Sequence, residues 1–370
     1  MTDGLGDRKM PVIKRIYHRG EHFISSFHTK TGSYLRTSIL EGEQAGREPF
    51  QADFPELMDI GIMGHCIHGK KGLCMKAGIG CYQDGLHAEK ENMSLELFQR
   101  IADECQGRTF QFALGGAGDP DQHERFEEIL RYSRKKDIVP NFTTSGYGLT
   151  EELAEISGRY CGAVAVSWYR SPYTWKAVEL LLSKNVTTNL HYVLGKDSIE
   201  EAVSRLRNRD FPEGINGVIF LLHKPVGLGR TDQVLGPEDG KLKDFFEQIE
   251  EEDFPFSIGF DSCMIPGILN YTKKLDLDSV DTCEGGRFSC YITPDGKMLP
   301  CSFDNQEQRW AYDLSKGSIR EGWNSQAFGD FRRRLKKACP GCEKQGLCMG
   351  GCPIRPEIVL CDREERKGMK

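Results

Sequence analysis

A chain of 370 residues, 38% hydrophobic and 28% charged, has room for one large or two ordinary domains with a substantial core. Its net charge of −6 gives no bulk attraction to nucleic acid or to an anionic membrane. No apolar run approaches the roughly 20 residues of a membrane span and the N-terminus lacks an apolar signal core, so the cytoplasm is the expected compartment.

Residues 1–55 read as a polar extension, in which "HFISSFHTKTGSYLRTSIL" forms a β-hairpin turning near Thr31-Gly32. Strand-like and helix-like runs then alternate. "ELMDIGIMG" is the first strand, followed after a loop by the helix "SLELFQRIADEC", with Leu95, Phe98, Ile101, Ala102 and Cys105 on one face. "FQFAL", "VPNFTTS", "CGAVAVSW", "VTTNLHYVL" and "GVIFLLH" continue as strands two to six, each with a helix after it, and "FSIGF" is a further short strand. Thr150 is the expected N-cap of the helix opening "LTEELAEI". Six strand–helix repeats argue for an α/β fold with a parallel sheet and right-handed crossovers. A doubly wound sheet and a barrel both fit, and both place chemistry at the C-terminal ends of the strands. From about residue 281 the pattern changes to short loops, Gly and Cys. The expected division is therefore an extension (1–55), an α/β body (56–280) and a cysteine-rich module (281–370).

The chain has 14 cysteines. A reducing cytoplasm disfavours a disulfide framework, which leaves metal binding or redox chemistry. "GHCIHGKKGLCMKAGIGC" sets Cys66, Cys74 and Cys81 in a glycine-rich loop directly after the first strand. Four thiolates close a [4Fe–4S] cluster, whereas three leave one iron open to an external ligand. A zinc site of three cysteines with His65, His68 or His87 is the alternative at this point. After the second strand, "GGAGDP" offers close-approach backbone and the carboxylate of Asp119, suited to the amino group of an amino-acid-like ligand.

A three-cysteine loop after strand one and a Gly-Gly-x-x-acid-Pro turn after strand two resemble the radical S-adenosylmethionine (SAM) enzymes. The resemblance implies a partial (β/α)6 TIM-like barrel and a cluster whose open iron binds SAM. Cys66, Cys74 and Cys81 would ligate that cluster. Gly115, Gly116, Gly118 and Asp119 would hold the methionyl amino group. Thr144 and Ser145 of "TTSG", with Ser167 and His191 at later strand ends, would lie beside the rest of the cofactor, and "HKPVGLGR" near the adenine. The loop departs from the usual C-x3-C-x2-C: it is C-x7-C-x6-C, with Gly80 where an aromatic normally precedes the third cysteine.

The C-terminal cysteines run Cys283-x6-Cys290-x10-Cys301, then Cys339-x2-Cys342-x5-Cys348-x3-Cys352-x8-Cys361, with Gly296 five residues before Cys301. This resembles the SPASM extension of radical SAM enzymes. The resemblance implies two auxiliary [4Fe–4S] clusters, one on Cys283, Cys290, Cys301 and Cys352, the other on Cys339, Cys342, Cys348 and Cys361. Gly350-Gly351 would let Cys352 turn away from its neighbours. Two four-cysteine zinc sites are the alternative. Cys105 and Cys161 read as core thiols.

The fold expected is thus a partial (β/α)6 barrel with a C-terminal iron–sulfur SPASM domain, three [4Fe–4S] clusters and SAM. Asp304 and Asp261 are candidate bases, and Cys263 a candidate donor at the site or an alternative ligand of the first auxiliary cluster. SPASM-bearing enzymes mostly modify peptides, so the expected function is crosslinking or oxidation of a ribosomally synthesised peptide. Its partners would be a leader-plus-core peptide and a flavodoxin or ferredoxin as electron donor, with neither nucleic acid nor membrane. The hairpin either offers an edge strand to a leader or caps the barrel bottom. A radical dehydrogenase acting on a small molecule such as an aminocyclitol, and a non-catalytic zinc or iron–sulfur scaffold, are the competing functions.

Overall fold

The computed structural model describes residues 12–42, 49–276, 279–337, 339, 341–358 and 360–361. Two sheets organise it. The first is antiparallel, in the order β1 (Ile13–His18), β2 (Phe23–His28), β3 (Tyr34–Ser38). The expected hairpin is β2–β3, and β1 is an additional strand. Its inner face carries Phe23 and Phe27, both buried. The Phe27 ring stacks 5.4 Å from Phe110, which sits just before the second strand of the barrel. Glu56 fixes the attachment: His18 Nε2 lies 2.6 Å from its Oε1, and Arg36 Nε donates to its Oε2 at 3.0 Å. Burial pushes Glu56 upward, and the bonds to His18 and Ser25 oppose that. The extension therefore closes the end of the barrel where the strands begin.

The second sheet has the order β10-β9-β8-β7-β6-β5-β4-β11-β12-β13. Its strands are β4 (Leu57–Met63), β5 (Gln111–Gly116), β6 (Val139–Thr144), β7 (Val164–Ser167), β8 (Thr188–Leu194), β9 (Gly217–Leu222), β10 (Ser257–Phe260), β11 (Ser289–Ile292), β12 (Lys297–Leu299) and β13 (Tyr312–Asp313). Helices are α1 (Ile67–Lys70), α2 (Leu73–Lys76), α3 (Leu95–Cys105), α4 (Phe126–Lys135), α5 (Glu151–Tyr160), α6 (Pro172–Ser183), α7 (Ile199–Asn208), α8 (Gly240–Glu251), α9 (Ile265–Tyr271), α10 (Ile319–Trp323), α11 (Gln326–Lys337) and α12 (Gln345–Cys348). Strands β4 to β10 are parallel neighbours in chain order, and α3 to α8 are their crossovers. The end strands β10 and β13 do not pair, so the barrel is open among the described residues. Among those residues no helix is long and apolar enough to cross a membrane.

Side-chain alternation assigns the two faces of the parallel strands. In β8, Thr188, Leu190, Tyr192 and Leu194 are buried, while Asn189, His191 and Val193 are only partly covered. The buried set packs on the helices; α3 answers with Phe98, Ile101, Ala102 and Cys105. Each such large apolar side chain contributes roughly 1.5–3 kcal/mol by leaving water. The other face is small or polar, with Gly115, Thr143, Ser167 and His191, and it surrounds an interior space. Ser94, Thr150 and Ser171 cap α3, α5 and α6 by accepting from the backbone N–H three residues on.

The cysteine-rich module joins the same sheet. Strand β11 pairs in parallel with β4 (Ser289 opposite Leu57, Ile292 opposite Ile60), and β12 returns antiparallel after a turn at Gly296, φ +80°.

Candidate functional site: three groups of thiols around the barrel interior

All fourteen cysteines are free thiols, and the structure sorts most of them into three groups. The first lies at the C-terminal end of β4. Cys66 caps α1, its sulfur accepting from Gly69 N–H at 3.0 Å, while Cys74 lies within α2. Cys81 follows in a turn, its sulfur accepting from Gly85 N–H at 3.5 Å. The long cysteine spacing is thus taken up by two single helical turns joined at Gly72, φ +64°.

The glycines make the convergence possible. A side chain at Gly69 would strike the Gly85 carbonyl, and one at Gly118 would strike that of His65. A Cβ at Gly85 would sit 3.4 Å from Cys66 Sγ. The cysteine loop and the "GGAGDP" turn therefore pack backbone to backbone. A Cβ at Gly115, by contrast, would meet nothing within 4 Å, so this glycine faces open interior. Burial pushes the Cys66 thiol up to about 12, with Asp119, Cys81 and Cys74 adding to the effect. Burial is also the main cause of the upward shifts at Cys74 and Cys81. Tyr169, after β7, feels the charge of all three thiols and of Asp119. These are groups that lose protons readily only to a bound cation.

The histidines of the zinc alternative are engaged elsewhere. His68 Nε2 is 2.7 Å from Tyr173 OH, with burial holding its imidazole down at about 4, and exposed His87 pairs with Asp84 at 2.8 Å. Among the described residues no three His, Cys, Asp or Glu side chains are gathered as tightly as a single metal ion requires.

Of the residues expected beside SAM, Asp119 and Ser145 are bonded to each other. Asp119 accepts from Ser145 N–H at 2.7 Å and from Ser145 Oγ at 2.5 Å, and burial raises it to about 6. Its carboxylate therefore orders the "TTSG" turn. Thr144 is fully buried and accepts from Gly146 N–H at 3.0 Å. Ser167 and His191 are register partners on the interior face, and burial lowers His191 to about 4. Sequence reasoning missed Asp121, buried close to Thr144 and raised by burial and by Asp119 to about 7. An acid two residues beyond Asp119 was the available signal. "HKPVGLGR" packs on the cysteine loop instead of standing apart: Leu228 N–H donates to Cys81 O at 2.9 Å.

The second group is Cys339, Cys342, Cys348 and Cys361, which line one pocket against Pro266 and Leu269 of α9. Immediately afterwards Met349, Gly350 and Gly351 take φ of +51°, +75° and +82°, and this left-handed run carries Cys352 to the other side. The third group, Cys263, Cys283, Cys301 and Cys352, lies in the wall of a cavity of about 660 Å³ that also reaches Arg36, Glu56 and Asp59. Cys290 lies elsewhere, in the core beside Cys105 and Met58. Beside this cavity Lys224 Nζ bonds Asp261 Oδ2 at 2.5 Å and Leu222 O at 2.9 Å, and lies 4.4 Å from the Phe303 ring centroid. Burial alone would lower Lys224, but Asp261 and Cys263 hold its charge in place. The Phe303 ring in turn contacts Tyr82, beside Cys81, at 4.9 Å.

One expected base changes role. Asp304 is buried and its two carboxylate oxygens accept from Arg309 N–H at 3.1 Å and Trp310 N–H at 3.0 Å. It fastens a loop and lines neither this cavity nor the polar one beside the cysteine loop. Asp261 does line the larger cavity, with Oδ1 buried and unpartnered.

Comparison with known proteins defines the class. Residues 283–344 match the SPASM family, an iron–sulfur cluster-binding domain. Over most of its length the chain shares the fold of solved radical SAM/SPASM enzymes. It superposes on SuiB of Streptococcus suis, solved with its precursor peptide SuiA, with a TM-score of 0.68 and 12% identity over 95% of this chain and 99% of that one. A structure of anSMEcpe with bound AdoMet gives a TM-score of 0.58 at 16% identity, covering 84% of this chain and 88% of that chain. In sequence, the chain is 21% identical over 309 residues to mycofactocin maturase MftC of Mycolicibacterium smegmatis, spanning 75% of each.

Proposed function

We propose that this protein is a radical SAM oxidoreductase that modifies a ribosomally synthesised peptide. The observation that carries the reading is the convergence of Cys66, Cys74 and Cys81 on a glycine cradle at the barrel mouth, facing an interior that leads to a further thiol-lined cavity. The donor set is thiolate only, the close-packed glycines draw the three cysteines into one loop, and Gly115 faces open space, so the residues fit a [4Fe–4S] cluster with one open iron. When bound, such a cluster supplies the electron that cleaves SAM to methionine and a 5′-deoxyadenosyl radical, which abstracts a substrate hydrogen.

The chain's own residues do the rest. Gly115 leaves room for the methionyl group, while Gly116 lets the turn pack on the Met63 backbone. Asp119, through Ser145, orders the turn against which SAM lies. His191, neutral near pH 7, offers hydrogen bonds from the interior wall. Lys224 holds the Asp261 side chain in the wall of the larger cavity, where the second carboxylate oxygen is the candidate base. A cavity of about 350 Å³ opens beside the cysteine loop, lined by polar groups including Gln83, Asp84, His87 and Asn305. Such a lining suits a peptide backbone. The relatives support the same substrate class, since one is named a maturase and one was solved with a precursor peptide. The substrate is a leader-plus-core peptide, and a flavodoxin or ferredoxin delivers the electron.

The test is anaerobic. The reconstituted protein is expected to carry about twelve irons and to form 5′-deoxyadenosine from SAM and dithionite. A Cys66→Ala, Cys74→Ala, Cys81→Ala variant should keep about eight irons and form none. Zinc in place of iron after anaerobic purification would overturn the reading.

A further inference from the structure

We propose that Cys263, in the turn between β10 and α9, is the fourth thiolate of the first auxiliary cluster, with Cys283, Cys301 and Cys352, and that Cys290 is a core thiol that carries no iron. This rests on the reading of the protein as an iron–sulfur enzyme and changes which of its own residues do the holding.

The cavity gives the first argument. Its four cysteine-bearing elements come from separate parts of the chain: the turn after β10, the loop before β11, the end of β12, and the segment after Gly351. All four cysteines line the same space of about 660 Å³. The Cys263 and Cys352 thiols hydrogen-bond to one another, and Cys283 and Cys301 lie near enough to feel each other and Cys263. Gly285 belongs to this wall: a Cβ there would stand 3.5 Å from Cys301 Cβ and 3.8 Å from Cys283 Sγ.

The strand gives the second. Cys290 is opposite Met58 in the parallel pairing of β11 with β4. Its neighbours in β11 face the interior: Ser289 lines the cavity and Tyr291 reaches Gly61. A β-strand sends alternate side chains to opposite faces, so Cys290 must point to the helix layer, where it is 1% exposed. Turning it inward needs a one-residue slip, which would reverse every side chain in β11 and break its register with β12 as well.

The spacing gives the third. In Cys283-x12-Gly296-x4-Cys301 the first thiol is Cys283, and Cys290 falls inside the gap. Cys283, Cys301 and Cys352 supply three of the thiols that line the cavity, and Cys290 is not among its lining residues. Cys263 is the fourth thiol that the fold delivers there. Lys224, buried beside Cys263 and Cys352, supplies a fixed positive charge where four thiolates would concentrate negative charge. On ligation the four thiols release their protons to solvent.

The experiment compares full-length wild type, Cys263→Ala and Cys290→Ala after anaerobic reconstitution with iron and sulfide, by iron count and by EPR of the oxidised and reduced protein. Cys290→Ala is expected to keep about twelve irons and an unchanged spectrum. Cys263→Ala is expected to lose one to four irons and, where three remain, to show the signal of an oxidised three-iron cluster. If Cys263→Ala fails to fold, Cys263→Ser decides: its oxygen ligand should shift the auxiliary signal and midpoint potential, and an unshifted signal overturns the proposal. It is equally overturned if Cys290→Ala loses about four irons while Cys263→Ala loses none. Wild type without iron would overturn the iron–sulfur reading itself, a result distinct from either variant pattern.

Discussion

The barrel-mouth thiols and those around the larger cavity are built in opposite ways. Cys66, Cys74 and Cys81 come from one stretch of sixteen residues, held by two helical turns and a few glycines. Cys263, Cys283, Cys301 and Cys352 come from four segments spread over ninety residues, brought together only by the finished sheet. The difference teaches where each site is vulnerable. The local site tolerates unusual spacing, because an inserted turn can be absorbed between ligands. The assembled site depends on register, and a change in a strand or a buried charge is felt at all four thiols.

The largest effect beyond the cysteines themselves should therefore fall at the assembled site. Lys224→Met leaves Asp261 buried opposite an apolar group, so a loss of about 3 kcal/mol is expected in chemical unfolding, with a more negative midpoint potential of the auxiliary cluster by voltammetry. An unchanged potential would break the link drawn between Lys224 and that site.

Next is the wall between the two sites. Burial lowers His191 to about 4 against an ordinary value near 6.5. The unfolded chain then binds a proton that the folded chain refuses, so stability is complete above pH 6.5 and falls as pH drops toward 4. The contribution should be about 2 kcal/mol, reduced from the full shift because the ring faces an interior that water enters. His191→Gln should flatten that acid limb in unfolding curves recorded from pH 7 to 4; an identical limb would count against the buried neutral imidazole.

The smallest effect should be in the tolerant loop. Gly72 has φ +64° but open space around it, so Gly72→Ala should cost only about 1 kcal/mol and leave the iron count intact. Gly118→Ala, whose Cβ would strike the His65 carbonyl, should cost about 2 kcal/mol and lower SAM-cluster occupancy. Equal effects at the two glycines would erase the contrast between spacing and cradle.

Legibility followed the same division. Strands β4 to β10, the amphipathic α3 and the Thr150 cap could be read because their signals are periodic and local. The group Cys339, Cys342, Cys348 and Cys361 could be read because its spacing is short. The place of β11 beside β4 could not, since a four-residue strand carries too little pattern to name a partner more than two hundred residues away. That pairing sets which face of β11 carries Cys290, and the cysteine spacing from which the resemblance was drawn holds no information about it. Asp304 looked like a base because it follows Cys301; its two backbone partners lie five and six residues on, in a turn that nothing in the pattern announces. Ser145 was expected beside the cofactor, but the two hydrogen bonds it donates to Asp119 are a tertiary fact.

The parallel pairing of β11 with β4 has one further consequence. It welds the cysteine-rich module to the barrel as a continuation of one ten-stranded sheet. A barrel cut at residue 280 would leave β4, its first strand, as a raw edge, and such fragments are expected to aggregate and not to behave as a minimal enzyme.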